Sequence, residues 1–340
     1  MRKIKVAIVG CGSISKKRHI PEYAANPNVE LVGFCDLILG RAEGYAQEHG
    51  GRAYTSYEEM LKAEKPDAVS VCTPNVLHAP YAIAAANAGA HVLVEKPMAT
   101  NEEDALAMIE AARKNGVFLM VGQNQRLMPP HLKAKEILQS GKMGKVLSFR
   151  TSFGHGGPEG WSIDGRDSWF FRKEDAIMGA MGDLGVHKSD LIRWMLDDEV
   201  AEVAAFVSTL HKAGTDVDDN ATCVLRMKSG IIGTLVASWT YYKGGDNSTI
   251  LWCENGAMHI GTHPVDQVIV QLRDGTVEKY QVGAMATNEK QVSSGIMDAF
   301  VESIITNTPP SISGEEGLKS LAVILAAFES QDSKKVVSLS

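Results

Sequence analysis

Two ionisable residues in the middle of the chain, Asp183 and His187, stand four positions apart in a run of small residues. On a helix that spacing puts both side chains on one face. A carboxylate beside an imidazole can hold and tune a proton-transfer group. Gly179, Ala180, Gly182 and Gly185 around the pair leave room for a substrate or a second backbone segment to come close. A helical Asp–His pair is also an ordinary structural contact, so its meaning depends on the rest of the chain. Asp190 continues the stripe, either as an ion-pair partner or as a support for the other two.

The N-terminal residues supply that context. An apolar run over 4–9, suited to a strand buried on both faces, leads directly into Gly10 and Gly12, with Ser13 and Ile14 completing the turn. A helical pattern follows to about Ala25. Gly10 permits a tight turn, and Gly12 lets main-chain N–H groups approach a pyrophosphate at the helix start. Ser15 stands where the fingerprint has its last glycine. A second strand over 29–35 ends at Asp36, whose carboxylate can accept from both ribose hydroxyls and repels a 2′-phosphate. The order strand, turn, helix, strand, Asp predicts a dinucleotide site. It favours NAD, and Arg41 nearby leaves NADP open.

These elements lie in a chain of 340 residues with a net charge of −7, long enough for two domains. The charge offers no general attraction to nucleic acid or to an anionic membrane. No apolar run reaches the length of a bilayer span, and Met1-Arg2-Lys3 passes straight into the first strand, so a cytoplasmic protein without a leader is expected. Cys11, Cys35, Cys72, Cys223 and Cys253 are scattered, without metal-ligand spacing, and read as reduced small hydrophobes. No metal is expected.

Strand and helix patterns alternate through the first third. Strands are expected at 4–9, 29–35, 52–54, 68–72, 91–95 and 118–121, and helices at 14–25, 40–48, 57–63, 78–88 and 101–115, the last capped by Thr100 and Glu103. Such alternation predicts a Rossmann-type parallel sheet over 1–122, with ligands bound beyond the strand C-termini. Three polar segments fall there: Thr73, Asn75 and His78; Glu95, Lys96 and Pro97; and Gln123, Asn124 and Arg126. The texture then changes to β-rich segments at 145–153, 201–210, 220–228, 231–241, 248–254 and 266–272, several separated by short turns. This predicts an α+β domain over 123–340 with a largely antiparallel open sheet. Val224, Leu235, Val236, Trp239 and Leu251 are candidates for its exposed face, which would pair subunits into a homodimer or homotetramer.

Gly10 and Gly12 with His19, Asp36, Thr73-Pro74-Asn75 with His78, Glu95-Lys96-Pro97, and Asp183 with Gly185 and His187 together resemble the Gfo/Idh/MocA family of oxidoreductases. The likeness runs over nearly the whole chain, and Ser15 and Ala180 are mild departures from it. It implies that Lys96, Asp183 and His187 surround the reacting carbon of a sugar, cyclitol or related polyol. His187 is then the base, Lys96 stabilises the substrate oxygen, and Asp183 binds a neighbouring hydroxyl or orients the imidazole. It also implies a cis bond before Pro97 that aims Lys96 inward. Gln123 and Asn124 could meet the nicotinamide carboxamide or simply form a turn. Arg126 could reach substrate or tie domains together.

Residues 154–172 are glycine-rich and carry Trp161, Arg166 and Trp169, a composition that can close over a sugar or bury its tryptophans at a structural contact. Three functions remain open at this level. The first is an NAD-dependent dehydrogenase or reductase of polyols. The second is a glycoside-cleaving enzyme that oxidises its substrate transiently, and the third is a cofactor-sensing regulator without turnover, against which the presence of Lys96, Asp183 and His187 argues.

Overall fold

The computed structural model describes residues 2–283 and 293–339. They divide into two compact units. One comprises residues up to Gln123, the segment 161–177 and the described part of 288–318; the other holds the remainder.

The core of the first unit is a parallel sheet. Its strands are β1 Ile4–Val9, β2 Val29–Cys35, β3 Arg52–Tyr54, β4 Ala68–Val71, β5 His91–Val94 and β6 Leu119–Val121, in the order β3-β2-β1-β4-β5-β6. Val6, Ala7, Ile8, Val69, Val71, Val92 and Leu93 are fully buried, because helices cover both faces. The order reverses between β1 and β4, which creates the crevice at the strand C-termini where such sheets take ligands. At the β6 edge an extended stretch runs alongside, with Val121 N–H donating to Ile312 at 2.9 Å. Each strand expected in this region is present. The expected first helix is a π-helical turn Ser15–His19 followed by helix Ile20–Ala25. Thr100 is not the cap of helix Glu102–Asn115: Asn101 accepts from the Asp104 N–H at 2.8 Å. Asn101, one residue on, is the better acceptor geometrically and by type.

The second unit is built on nine strands: β7 Val146–Gly154, β8 Val200–Ser208, β9 Asn220–Met227, β10 Ile232–Ser238, β11 Thr249–Cys253, β12 Gly256–Ile260, β13 Val268–Leu272, β14 Val277–Tyr280 and β15 Val337–Ser338. Their order is β14-β13-β12-β11-β7-β10-β9-β8-β15, antiparallel except for the parallel pair β7–β10. Strand β9 alternates in burial: Ala221, Cys223, Leu225 and Met227 face the core, while Val224 and Arg226 face outward. Helices Pro129–Gln139 and Val186–Leu196 pack on the inner face. The exposed set differs from the expected one. Leu235, Trp239 and Leu251 are fully buried, and the open face carries Phe206, Val224, Ile232 and Trp252. The helical elements cover one side of the alternation, and Leu235, Trp239 and Leu251 fall on that side.

Candidate active site

In the first unit β1 ends at Val9 and the chain turns at Gly10, with φ +86°. A Cβ there would lie 2.5 Å from the Cys72 carbonyl oxygen, so only glycine lets the turn pass beside the end of β4. At Gly12 a Cβ would meet nothing within 4 Å, leaving its backbone open to a ligand. Ser15 is buried and its hydroxyl donates to the Gly10 carbonyl, so the substituted glycine position braces the turn. Asp36, at the end of β2, accepts from the Cys11 and Ile38 N–H groups, each at 2.8 Å. Those bonds fix the carboxylate beside the glycine turn and leave lone pairs for further donors. Leu37 and Ile38 next to it are exposed, an apolar lip suited to a purine face.

Gln123 is 1% exposed, and neither its amide oxygen nor its nitrogen has a hydrogen-bond partner among the described residues; the Thr73 hydroxyl is likewise buried without one. Unmet buried polar atoms cost free energy unless a bound group satisfies them. An open glycine turn, a fixed carboxylate and an unmet amide at one sheet edge fit a dinucleotide.

Other polar groups of this edge hold the protein itself. Both ring nitrogens of His78 face carbonyls, Pro97 at 2.7 Å and Thr73 at 2.9 Å, so His78 pins together the loops after β4 and β5. Burial pushes its pKa down, against the pull of those carbonyls. Asn75 is buried and donates to the Ala176 carbonyl at 2.8 Å. Glu95 Oε1 lies 2.9 Å from His19 Nε2, and Glu95 Oε2 accepts from the Lys96 N–H at 3.2 Å. Burial opposes the charge on both partners. Cys72 and Glu95 nevertheless push His19 up to about 10, and His19 with Lys96 holds Glu95 below its ordinary value. A charged pair thus backs the half-buried Lys96, whose bond to Pro97 is cis as expected.

In the second unit Asp183 lies in a π-helical turn, Met181–Gly185, that runs into helix Val186–Leu196, which carries His187. Such turns are frequent at functional sites. Asp183 and His187 are 5% and 7% exposed. Asp218 holds the start of the segment, accepting from the Gly179 and Met181 N–H groups, each at 2.7 Å. A Cβ on Gly179 would lie 1.9 Å from the Asp218 carbonyl oxygen, which explains the glycine. Trp239, fully buried after β10, donates from its indole to Asp183 Oδ2 at 3.1 Å. The His187 ring lies 5.9 Å from that of Phe153. On the same helix Lys188 is fully buried, with Nζ 3.3 Å from the Asn247 carbonyl; burial pushes its pKa down to about 7 against the pull of Asp246. Trp239, Asp218 and Lys188 were not expected at the site. Trp239 reads from sequence as a sheet residue, and the Asp218 carboxylate accepts from backbone N–H groups, a contact that leaves no sequence pattern.

Arg126 is 5% exposed and forms a bidentate pair with Asp190, at 2.7 and 2.6 Å. Ser320 also donates to Asp190, at 3.0 Å. Of the two readings of Arg126, the ion pair is the one seen: Arg126 forms a buried brace, and Asp190 is its partner. Arg126→Met strands a buried carboxylate and is expected to cost roughly 3–5 kcal/mol. Denaturant unfolding checks this; an unchanged midpoint with lost turnover would return Arg126 to the substrate.

The 154–172 stretch divides between the units. The part over 161–177 belongs to the first and is held to its ligand edge: the Ile163 N–H donates to Ser13 Oγ at 2.7 Å, Arg41 pairs with Asp164 at 2.5 Å, and Ala176 accepts from Asn75. Trp169 stacks on Phe170 at 3.9 Å and Trp161 meets Phe170 edge-on at 5.0 Å, so both tryptophans join one aromatic group, while Arg166 is exposed. Asn124 opens the short turn Asn124–Leu127 and is half-buried.

Comparison with known proteins accords with this geometry. Residues 4–123 match the model of an oxidoreductase family with an NAD-binding Rossmann fold, and residues 131–259 match the GFO/IDH/MocA C-terminal domain. The chain is 34% identical to levoglucosan dehydrogenase of Pseudarthrobacter phenanthrenivorans, over 70% of this chain and 68% of the relative. It is 28% identical to myo-inositol 2-dehydrogenase of Thermotoga maritima, over 99% and 98%. The crystal structure of GenD2 from gentamicin A biosynthesis in complex with NAD superposes with a TM-score of 0.86 at 26% identity, covering 100% of this chain and 97% of that one. An NAD-binding sheet edge, an Asp–His helix on an open β-sheet unit and matches to both family domains lead to one conclusion: the chain belongs to the Gfo/Idh/MocA family of oxidoreductases.

Proposed function

We propose that this chain interconverts a secondary alcohol and a ketone on a sugar, cyclitol or related polyol, using NAD. The observation that carries the reading is the buried Asp183–His187 pair, with Asp183 held by the Trp239 indole. An acid and an imidazole kept in a fixed, largely dry setting serve proton transfer better than they serve stability. Gly10, Gly12, Ser13 and Ile14 would hold the pyrophosphate, Asp36 the ribose, and Gln123 and Asn124 the carboxamide, with Thr73, Asn75, His78, Glu95, Lys96 and Pro97 shaping the rest of the edge. The bound nicotinamide supplies the hydride acceptor. His187 takes the hydroxyl proton, Lys96 stabilises negative charge on that oxygen, and Asp183 orients the imidazole or binds a neighbouring hydroxyl. Trp161, Arg166 and Trp169 are proposed to contact substrate, and the ties of their segment to Ser13 and Arg41 support a position beside the dinucleotide.

We assign the dinucleotide-binding domain to residues 1–122, with Gln123, Asn124 and the 161–177 segment adding to its edge, and substrate binding and self-association to the rest of 123–340. Phe206, Val224, Ile232 and Trp252 on the open sheet face support a homodimer or homotetramer. Among the described residues no helix is long and apolar enough to cross a membrane, and the five cysteines are free and buried, which supports a cytoplasmic setting. The test is a panel of sugars and inositols with NAD, read by formation of the reduced cofactor. At least one polyol is expected to reduce NAD. Release of aglycone from aryl glycosides without net reduction would favour the elimination reaction, and normal NAD binding with no turnover would favour a regulator.

A further inference from the structure

We propose that Asp164 is a cofactor-selectivity residue, which disfavours a 2′-phosphate by holding the guanidinium of Arg41. Asp36 occupies the ribose-reading position, and Arg41 follows it by five residues on helix Leu39–His49. An arginine near that position is the group that accommodates the 2′-phosphate of NADP. In this chain its Nη2 lies 2.5 Å from Asp164 Oδ1, and the two side chains are 24% and 35% exposed. A pair that open to water adds little to stability, so its presence asks for another role. The contact is not isolated. The preceding residue, Ile163, donates to Ser13 in the glycine turn at 2.7 Å. Two consecutive residues of one segment therefore grip the turn on the pyrophosphate side and the arginine on the ribose side. The carboxylate of Asp164 neutralises Arg41 and keeps its guanidinium from a 2′-phosphate. This rests on the NAD-binding edge and not on the roles of Lys96, Asp183 or His187.

The test measures binding of 5′-ADP and 2′,5′-ADP to the full chain by calorimetry, without turnover. In Asp164→Ala, 2′,5′-ADP is expected to bind about fivefold tighter, the effect of one partly exposed charge pair, with 5′-ADP within about twofold of wild type. Adding Arg41→Ala should return 2′,5′-ADP to its original affinity, and Asp164→Glu should keep the wild-type discrimination. An unchanged ratio in Asp164→Ala would overturn the proposal, as would a gain that survives the loss of Arg41. Failure of the wild type to bind 5′-ADP would remove the cofactor edge itself, and the proposal with it.

Discussion

Lys96→Ala is expected to lower kcat by about a hundredfold to a thousandfold, the size of losing one fixed charge-stabilising donor, while the dissociation constant of NAD changes little. Lys96 follows β5 directly, and its own N–H is tied to Glu95, which is in turn bonded to His19. Pro97, Met98 and Ala99 after it are buried, so the chain on both sides is fixed and the ammonium need not be ordered at each turnover. The Lys96 side chain is half-buried and lies outside the apolar core. Steady-state rates at saturating NAD, beside a binding titration, separate the two effects. Wild-type turnover in the variant would remove Lys96 from the chemistry, and a large loss of NAD affinity would make it a cofactor ligand.

The second large effect is expected at His187. Asp218 holds the start of the segment that leads into its helix, and Trp239 holds Asp183, by bonds that do not involve the imidazole. His187→Ala should reduce kcat for alcohol oxidation by about a hundredfold to ten-thousandfold, the usual contribution of a positioned base. The rate of the variant should then follow hydroxide, so that its pH profile differs in shape from that of the wild type. A variant whose pH–rate curve keeps the wild-type shape would show that another group takes the proton.

What could be read in advance follows physical lines. Strands β1, β2, β4 and β5 are legible because burial on both faces demands mostly apolar runs such as Ile4–Val9, which only Lys5 interrupts. Asp183 and His187 are legible because helical spacing is local. Helix Pro129–Gln139 is easily missed, since its paired prolines suggest a loop although proline suits a first helical turn. Strands β12 and β14 are four or five residues long and mix apolar with polar residues, and hydrogen bonds to neighbouring strands define them more than composition does. The attachment of 161–177 to the Rossmann unit depends on Ser13 and Arg41, more than a hundred residues away in the chain. No local pattern reports such a tie. The burial of Arg126 is hidden for a related reason: a polar sequence after β6 suggests an exposed loop, whereas the pair with Asp190 lies inside the fold.

The most direct test of the proposed chemistry is a double-mutant cycle between Lys96→Ala and His187→Ala, read as kcat/KM for a polyol that the wild type oxidises. If both groups act on one oxygen in one step, the double variant should fall within about tenfold of the worse single variant. Losses that multiply in full would mean that Lys96 and His187 act independently, and the account of a shared reaction would be wrong.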